Sequence, residues 1–321
     1  MTTMADVLAV GTRVIAQVER AIVGKRPVLE QLMVAVLADG HVLLEDYPGL
    51  AKTRMAKSFA VALGLDFKRI QFTPDLLPGD ISGSYVYNRV EGSFVLRKGP
   101  VFANLILADE INRASPKTQS ALLEAMQEQQ VTLEGETMAL PDPFLVIATQ
   151  NPIEYEGTFP LPEAQLDRFL MRLSIGYPSL EEEHTMLRRR RDQRRDDIAL
   201  EAVTTPPELL GLRRQVEDVH IDPDLERYIV TLVQATRQDA RVAVGASPRA
   251  SLALLKLARA HAALAGRDYV LPDDIKAYVL PVLVHRLILH PDLWMVPKAA
   301  RDIVAGILDT IPVPIGSGAA G

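Results

Sequence analysis

Residues 43–53 read Leu-Leu-Glu-Asp-Tyr-Pro-Gly-Leu-Ala-Lys-Thr and lead into the helix-like stretch MAKSFAVALG. An apolar run that ends in a Pro-Gly turn, followed by Lys-Thr and a helix, is typical of a strand, a phosphate loop and a helix. The general loop pattern G-x-x-x-x-G-K-[ST] has glycine at the two positions that Asp46 and Ala51 occupy here. The stretch therefore predicts a phosphate loop with two substitutions. The alternative is a plain turn in which Lys52 is a solvated surface lysine.

The composition limits the class of protein. The chain has 321 residues, 48% hydrophobic and 24% charged, with a formal net charge of −6 and no cysteine. This predicts two folded domains and disfavours a dedicated nucleic-acid binder. Disulfides and thiolate metal sites are excluded, and the histidines lack metal-ligand spacing, so we expect no structural metal. Because no secretory leader is evident and no apolar run approaches the ~20 residues of a membrane span, we expect a soluble cytoplasmic protein.

The apolar segments predict an α/β core. Candidate strands are mostly continuous apolar runs, which suit a parallel sheet covered on both faces. They lie at about 41–45, 68–72, 104–108, 144–149 and 170–175. Helical patterns separate them at about 53–63 and 116–128, and two more helices precede them at about 4–23 and 27–38. This alternation predicts a doubly wound parallel sheet.

Two segments interrupt the alternation. Residues 74–101 and 130–142 each contain two short strand-like pieces around a turn, which predicts two β-hairpin insertions. Beyond Tyr177-Pro178 the pattern is helical to about residue 310. We therefore predict an α/β core over 1–177, a smaller all-α domain over 178–312 and a disordered tail over 313–321.

The phosphate-loop hypothesis assigns chemistry to its residues. Backbone N–H groups from about Pro48 to Thr53 would surround the β-phosphate at a helix N-terminus, where the helix dipole favours an anion. Lys52 would neutralise phosphate charge and Thr53 would ligate Mg²⁺. The methyl group of Ala51 is tolerable if its φ is negative and costly if the loop needs a positive φ.

A second motif is the strand-like run LILADE at residues 105–110. A buried strand that ends in two carboxylates is expensive unless they have a partner. Asp109 would bind Mg²⁺ and Glu110 would activate or orient the attacking water. The alternative is an acidic loop that simply follows a core strand.

A third motif, ATQNP at residues 148–152, ends another strand in polar amides. It places Asn151 beside the crevice in which α/β proteins bind ligands, where its amide would hold the water or the γ-phosphate. The alternative is that Asn151 caps a turn before Pro152.

Together these motifs make the chain resemble an AAA+ ATPase and, within that superfamily, the MoxR family. The motifs that carry the resemblance are EDYPGLAKT (45–53), LADEINRASPKTQSALLEAMQE (107–128), ATQNP (148–152), LPEAQLDRF (161–169) and GASPRA (245–250). With the two hairpins they extend from about residue 22 to 310. MoxR-like loops often have alanine at the position of Ala51, so this substitution does not argue against activity. The resemblance implies an AAA+ core followed by a helical lid, with ATP bound between them.

The resemblance implies further roles. Asn151 corresponds to sensor 1, and Arg168 to the arginine finger that completes the site of the neighbouring subunit. Arg249 corresponds to sensor 2, and Val23-Gly24 to the segment that lines the adenine pocket. Each has a plainer interpretation from the residues alone. Arg168 would pair with an acidic residue of its own helix (Asp167 or Glu163), Arg249 would be an ordinary first-turn arginine, and the Val-Gly pair would cap the preceding helix.

The candidate site residues are therefore the following. We assign catalysis to Glu110, Arg168 (in trans), Asn151 and Arg249. We assign ATP or ADP binding to Val23, Gly24, Tyr47, Pro48, Gly49, Leu50, Ala51, Lys52, Thr53 and Arg54. We assign Mg²⁺ to Thr53 and Asp109.

Three other features leave alternatives open. In related rings the two hairpins face the pore or the substrate, so Tyr85, Tyr87 and Phe94 would touch a client protein, or would simply pack within the hairpin. Arg113 would bridge subunits or contact nucleotide in trans, or form a surface salt bridge. The arginines clustered over 188–195 favour a solvated, ion-paired helix over an anion site.

We predict a Mg²⁺-dependent ATPase that acts as a chaperone-like remodeller of partner proteins. The arginine finger implies a closed homo-oligomeric ring, a hexamer by resemblance, and MoxR-like proteins commonly act with von Willebrand A-domain proteins. One alternative is a nucleic-acid-remodelling motor, which the acidic balance disfavours. Another is a nucleotide-dependent scaffold that scarcely hydrolyses ATP, which Ala51 supports and the intact Asp109-Glu110 pair opposes.

Overall fold

A computed structural model describes residues 3–152, 157–195 and 198–314, and the structural statements below concern those residues. Contacts divide the chain into two compact units. The sheet unit comprises Val10–Leu161 and Leu173–Leu210, and the helical unit comprises Met1–Ala9, Pro162–Arg172 and Gly211–Gly321.

These units do not follow the predicted domain boundary at 177, which stays a prediction about domains. Residues 178–210 group with the sheet unit because they bond to it. Arg189 Nη1 donates to the carbonyl oxygens of Glu19 and Arg20 at 3.1 and 3.3 Å, and Val203 N donates to Ala62 O at 2.8 Å. The predicted disordered tail falls mostly on residues 315–321, which lie outside the described ranges.

The strands of the described residues include the five predicted apolar runs, the four strands of the predicted hairpins and two short strands that were not predicted. They are β1 (Val42–Glu45), β2 (Phe67–Gln71), β3 (Gly83–Asn88), β4 (Ser93–Lys98), β5 (Leu105–Asp109), β6 (Gln130–Leu133), β7 (Glu136–Ala139), β8 (Leu145–Gln150), β9 (Met171–Leu173), β10 (Val242–Val244) and β11 (Ile288–Leu289).

The α-helices lie between and after them. They are α1 (Met4–Ala21), α2 (Arg26–Leu37), α3 (Lys52–Ala62), α4 (Pro78–Ser82), α5 (Pro116–Glu128), α6 (Glu163–Leu166), α7 (Leu180–Gln193), α8 (Pro206–Glu217), α9 (Pro223–Gln238), α10 (Pro248–Leu264), α11 (Pro272–Leu283) and α12 (Ala299–Thr310).

The central sheet has five strands in the order β2-β5-β8-β1-β9. The β2–β5, β5–β8 and β8–β1 pairs are parallel, which confirms the predicted doubly wound sheet. All five residues of β5 are buried, as are the first three of β1 and the first five of β8. Because these strands are parallel, their carboxyl ends share one edge of the sheet. The phosphate loop, the Asp109-Glu110 pair and Asn151 therefore follow the same edge.

Both predicted hairpins are present. Strands β3 and β4 pair antiparallel with Asn88 opposite Ser93, and β6 and β7 pair with Leu133 opposite Glu136. The hydroxyl of Tyr85 donates to Glu136 Oε2 at 2.6 Å and so links the two hairpins.

The aromatic side chains of the first hairpin fit both of the interpretations offered above. The rings of Tyr87 and Phe94 pack edge to face, with centroids 5.3 Å apart. Both side chains nevertheless stay more than half exposed, at 53% and 69%, so they remain accessible to a client.

The helical unit departs from the all-α prediction in one detail. Strands β10 and β11 form a small antiparallel sheet in which Val242 pairs with Leu289. These strands have three and two residues, and the sheet pairs segments about 45 residues apart, so no local sequence pattern indicated it. The rest of the unit is helical, with buried faces on α9, α10, α11 and α12.

Candidate active site

The predicted phosphate loop lies between the end of β1 and the start of α3, so the strand, turn and helix are where the sequence predicts them. Gly49 has a φ of 83° and Ala51, at the helix N-cap, has a φ of 56°. Ala51 therefore occupies the left-handed region, where an L-residue with a Cβ is strained by about 1–2 kcal/mol. Lys52 Nζ donates to the carbonyl oxygen of Asp46 at 2.5 Å, so the lysine amine lies over its own loop.

Asp46 joins the loop to the segment after β9. Its Oδ2 accepts hydrogen bonds from Ser174 Oγ at 3.0 Å, Ile175 N at 2.6 Å and Gly176 N at 2.7 Å, and its Oδ1 accepts from Tyr47 N at 2.9 Å. The residue is only 4% exposed. One signal of this role is present in the sequence, an aspartate where the loop pattern has glycine, but by itself it indicates only a substitution.

Asp109 lies beside two hydroxyls. Its Oδ2 accepts from Thr53 Oγ1 at 3.5 Å, and its Oδ1 accepts from Thr149 Oγ1 at 2.6 Å. The structure thus brings together the two residues predicted to hold Mg²⁺. The described residues contain no group of three or more histidine, cysteine or carboxylate side chains suited to a metal. A pair of oxygen ligands fits Mg²⁺, which keeps waters and takes further ligands from nucleotide phosphates.

Arg69, on β2, is a neighbour of Asp109 that sequence reasoning missed. Its Nε and Nη2 donate to Asp109 Oδ2 at 3.0 and 2.7 Å, and its Nη2 also donates to Gln71 Oε1. The Arg69 side chain is 48% exposed, so solvent screens the pair. A metal cation would compete with this guanidinium for the same carboxylate oxygen.

Glu110 is held by several donors. Its φ is 57°, and its backbone N–H donates to Thr149 Oγ1 at 2.8 Å. Its Oε2 accepts from Gln71 Nε2 at 2.8 Å and from Arg113 Nη1 at 3.0 Å. Arg113 therefore forms the salt bridge that we gave as its plainer interpretation, and it does so with the proposed catalytic carboxylate.

Asn151 directly follows β8 and is 5% exposed. It lies two residues beyond Thr149, whose hydroxyl touches both Asp109 and the Glu110 amide. The preceding Gln150 donates from Nε2 to Glu45 Oε1 at 2.6 Å, which joins the ends of β8 and β1. Asn151 is thus at the predicted edge of the sheet, while its role in catalysis stays a prediction.

Arg168 and Arg249 both lie in the helical unit, where one carboxylate connects their segments. Asp167 accepts from Arg286 Nε through Oδ1 and from Ser247 Oγ through Oδ2, each at 2.8 Å. Ser247 caps α10, two residues before Arg249. Within the described ranges no ion pair joins Arg168 to Glu163 or to Asp167, and the Asp167 carboxylate pairs with Arg286 instead.

A cavity of about 310 Å³ lies in the sheet unit beside the phosphate loop. Its walls include five of the residues predicted to bind nucleotide, namely Val23, Gly49, Leu50, Ala51 and Arg54. Further walls come from the end of α1, from the segment after β9 and from α7, and include Ile175, Gly176, Met186, Leu187 and Arg189. A largely apolar pocket next to a phosphate loop is suited to a nucleotide base.

The arginines clustered over 188–195, in α7 and just after it, only partly match the predicted solvated, ion-paired helix. Arg191 pairs with Asp192 at 2.9 Å, and α7 buries none of its residues. Arg189, Arg190 and Arg195 nevertheless line the cavity. One face of α7 borders the cavity, so the arginines on that face line it. The charge pattern of the sequence does not show which face of the helix borders a cavity and which faces solvent.

Comparison with known proteins agrees with this geometry. A model of the ATPase family associated with various cellular activities (AAA) matches residues 41–171, and an AAA lid domain model matches residues 234–307. Chaperone MoxR1 of Mycobacterium tuberculosis is 44% identical over 94% of this chain and 82% of its own length. Protein MoxR of Paracoccus denitrificans is 32% identical over 93% of this chain and 95% of its own. This chain belongs to the MoxR family of AAA ATPases.

Two further comparisons extend this MoxR-family assignment. The uncharacterized protein YeaC of Bacillus subtilis is 51% identical over 94% of both chains. A crystal structure of a putative ATPase from Cytophaga hutchinsonii superposes with a TM-score of 0.91, at 41% identity and 97% coverage of each chain. The similarity spans both the sheet unit and the helical unit. Among the described helices, none is long and apolar enough to cross a membrane.

Proposed function

We propose that this MoxR-family chain hydrolyses ATP with Mg²⁺ and uses the energy to remodel or mature partner proteins. The observation that carries the proposal is the meeting of Thr53, Asp109 and Thr149 at the carboxyl edge of the sheet, where the phosphate loop enters α3. This is the arrangement of hydroxyl and carboxylate that phosphoryl transfer needs around the phosphates.

The residues of the sheet unit have distinct proposed roles. The loop amides and Lys52 bind the phosphates, and Thr53 and Asp109 hold Mg²⁺, which when bound neutralises charge on the β- and γ-phosphates. Glu110 orients the attacking water and accepts its proton, and Asn151 holds the same water or the γ-phosphate. The Gln71 and Arg113 donors fix the Glu110 carboxylate in one orientation.

Two arginines of the helical unit complete the proposed mechanism. Arg249 binds the γ-phosphate, and Arg168 acts in the site of a neighbouring subunit, where such a group contributes about 10³-fold or more in rate. A ring is then the active species, and we propose a homohexamer.

The clients are proposed to be proteins. Support comes from MoxR1, which is named a chaperone. A von Willebrand A-domain protein is the proposed partner, by similarity to the family. Its test is a pull-down with Glu110→Gln in the ATP-bound state, compared with the same protein without nucleotide. Recovery of no A-domain protein would remove this partner from the proposal.

Glu110→Gln also tests the hydrolysis itself. Gln is nearly isosteric but accepts no proton, so we expect ATP binding within about twofold of wild type and turnover reduced at least about 100-fold. Glu124→Gln is the matched control, since Glu124 is an exposed residue of α5. Turnover by Glu110→Gln equal to that of an active wild type would contradict the assignment.

One alternative function has a structural observation in its favour. A nucleotide-dependent scaffold with little hydrolysis is supported by the strained φ of Ala51 and by the Arg69 guanidinium on Asp109. Equal and negligible turnover in wild type and Glu110→Gln, both measured as assembled rings, would favour it. Stimulation of wild-type turnover by DNA or RNA would instead favour the nucleic-acid motor.

A further inference from the structure

Asp46 has no assigned function, although it occupies a glycine position of the phosphate-loop pattern. A glycine there would make no side-chain contact, whereas the Asp46 carboxylate accepts four hydrogen bonds and is nearly inaccessible to solvent. Three of its donors belong to Ser174, Ile175 and Gly176. These residues lie about 130 positions away in the chain. The aspartate is therefore a tether between two distant segments.

Both segments form walls of the same cavity. Gly49, Leu50 and Ala51 of the loop line it on one side, and Ile175 and Gly176 also line it. The tether therefore joins the loop that would bind phosphates to the wall that would contact the base.

Two further contacts support the tether. The rings of Tyr47 and Tyr177, each next to a tethered residue, stack with centroids 5.6 Å apart and planes 24° apart. Lys25 Nζ donates to Tyr177 O at 2.7 Å. This hydrogen bond connects the segment after β9 to Lys25, which follows the proposed adenine-binding residues Val23 and Gly24. The backbone oxygen of Asp46 also accepts a hydrogen bond from Lys52 Nζ, so Asp46 directly contacts the proposed phosphate-binding lysine.

We propose that Asp46 is a positioning residue that fixes the distance between the phosphate loop and the base-binding wall, and thereby sets the affinity for whole nucleotides. This inference rests on the proposed ATP-binding function. A nucleotide binds tightly when the subsites for its base and its phosphates are already correctly spaced, because little free energy is then spent on ordering the site. A tether that connects the two subsites stabilises the spacing before the ligand arrives.

Substitution at this position separates the structural argument from the sequence pattern. Asp46→Gly restores the first glycine of the general loop pattern, so the pattern alone predicts unchanged or improved nucleotide binding. The structure predicts the opposite, because glycine leaves buried donors without an acceptor. Asp46→Asn keeps the size of the side chain, but its NH₂ group can face the backbone N–H groups of Ile175 and Gly176, which need an acceptor.

The test compares wild type, Asp46→Gly and Asp46→Asn in equilibrium binding of MgATP and of magnesium tripolyphosphate. Tripolyphosphate contacts only the phosphate subsite. We expect both variants to lose about tenfold or more in ATP affinity, with a clearly smaller loss for tripolyphosphate. In turnover, KM for ATP should rise while kcat at saturating ATP stays within about threefold. Equal loss of affinity for both ligands would indicate a merely structural role and would overturn the inference.

The controls are Asp66→Gly and Asp66→Asn, which make the same changes at an exposed aspartate of the sheet unit. If the Asp46 variants do not fold, Ser174→Ala removes a single donor from the tether and should lower ATP affinity about threefold. Wild-type ATP affinity in folded Asp46 variants, or in Ser174→Ala when they do not fold, would overturn the inference. Wild type that binds no ATP would overturn the proposed function itself.

Discussion

Arg286 Nε donates to Asp167 Oδ1 at 2.8 Å, and this ion pair lies at the junction of two segments that carry proposed functional arginines. Arg286 is 8% exposed and also donates to the backbone oxygens of Phe169 and Val282 at 2.6 Å. Burial lowers the pKa of the Arg286 guanidinium, and the Asp167 carboxylate opposes that change. The pair therefore fixes the backbone on either side of Arg168.

Asp167→Asn should destabilise the helical unit. It leaves a buried guanidinium without its counter-charge, which typically costs about 3–5 kcal/mol. Urea unfolding followed by circular dichroism measures the loss. The control is Glu163→Gln, an exposed carboxylate of the adjacent helix α6. Combining Asp167→Asn with Arg286→Met should recover part of the loss, and equal stability of Asp167→Asn and wild type would contradict this account.

Arg168→Ala should inactivate each ring on its own but be rescued by mixing. In rings that mix equal amounts of Arg168→Ala and Glu110→Gln subunits at random, about a quarter of sites combine an intact Glu110 with a neighbour's intact Arg168. We therefore expect activity to return to about a quarter of wild type when the two inactive proteins are mixed. Mixing each protein with itself is the control, and no recovery in mixed rings would show that Arg168 does not act in trans.

Ala51→Gly should stabilise the protein slightly, by about 0.5–1 kcal/mol. Glycine removes the strain of a left-handed φ, about 1–2 kcal/mol. Part of this gain is lost because glycine gives the unfolded chain more conformational entropy, which folding must remove. Lys57→Gly is the matched control, since Lys57 is an exposed interior residue of the same helix α3, where glycine should instead cost about 1 kcal/mol. Thermal unfolding of both variants checks the opposite signs, and a destabilised Ala51→Gly would show that the methyl group contributes favourable packing.

Asp274 should make the helical unit sensitive to acid. Burial by itself would raise the pKa of this carboxyl, but hydrogen bonds from His261, Arg267 and the Leu271 amide lower it to about 2, against 3.8 for the free group. The carboxylate therefore contributes stability above about pH 4 that is lost as the pH falls toward 2, about 2 kcal/mol in all.

Unfolding of Asp274→Asn between pH 2 and 5 measures that contribution. The variant should be less stable at pH 5 and should show a shallower loss of stability toward pH 2 than wild type. Asp273→Asn, at a neighbouring side chain that is 91% exposed, should keep the wild-type slope. An Asp274→Asn slope equal to wild type would contradict the lowered pKa.

Local sequence patterns were enough to predict the central sheet and the order of its motifs. Continuous apolar runs such as that of β5 need burial on both faces, and their positions predicted each strand of the central sheet. The Lys52-Thr53 and Asp109-Glu110 pairs were recognisable because each follows an apolar run directly. Parallel strands then bring their carboxyl ends to one edge, so Thr53 and Asp109 meet there.

The side chains that these residues contact, and the conformation of the loop, could be read only from the folded chain. Three sets of contacts join residues about 40 to 130 positions apart in the chain, a separation that no local pattern specifies. They are the Arg69–Asp109 pair, the hydrogen bonds to Asp46 from the segment after β9, and the Asp167–Arg286 pair. The φ of Ala51 was likewise open, because alanine is compatible with a helix start and reveals nothing about strain. Local periodicity fixes burial along one element, whereas hydrogen-bond partners depend on which elements become neighbours when the chain folds.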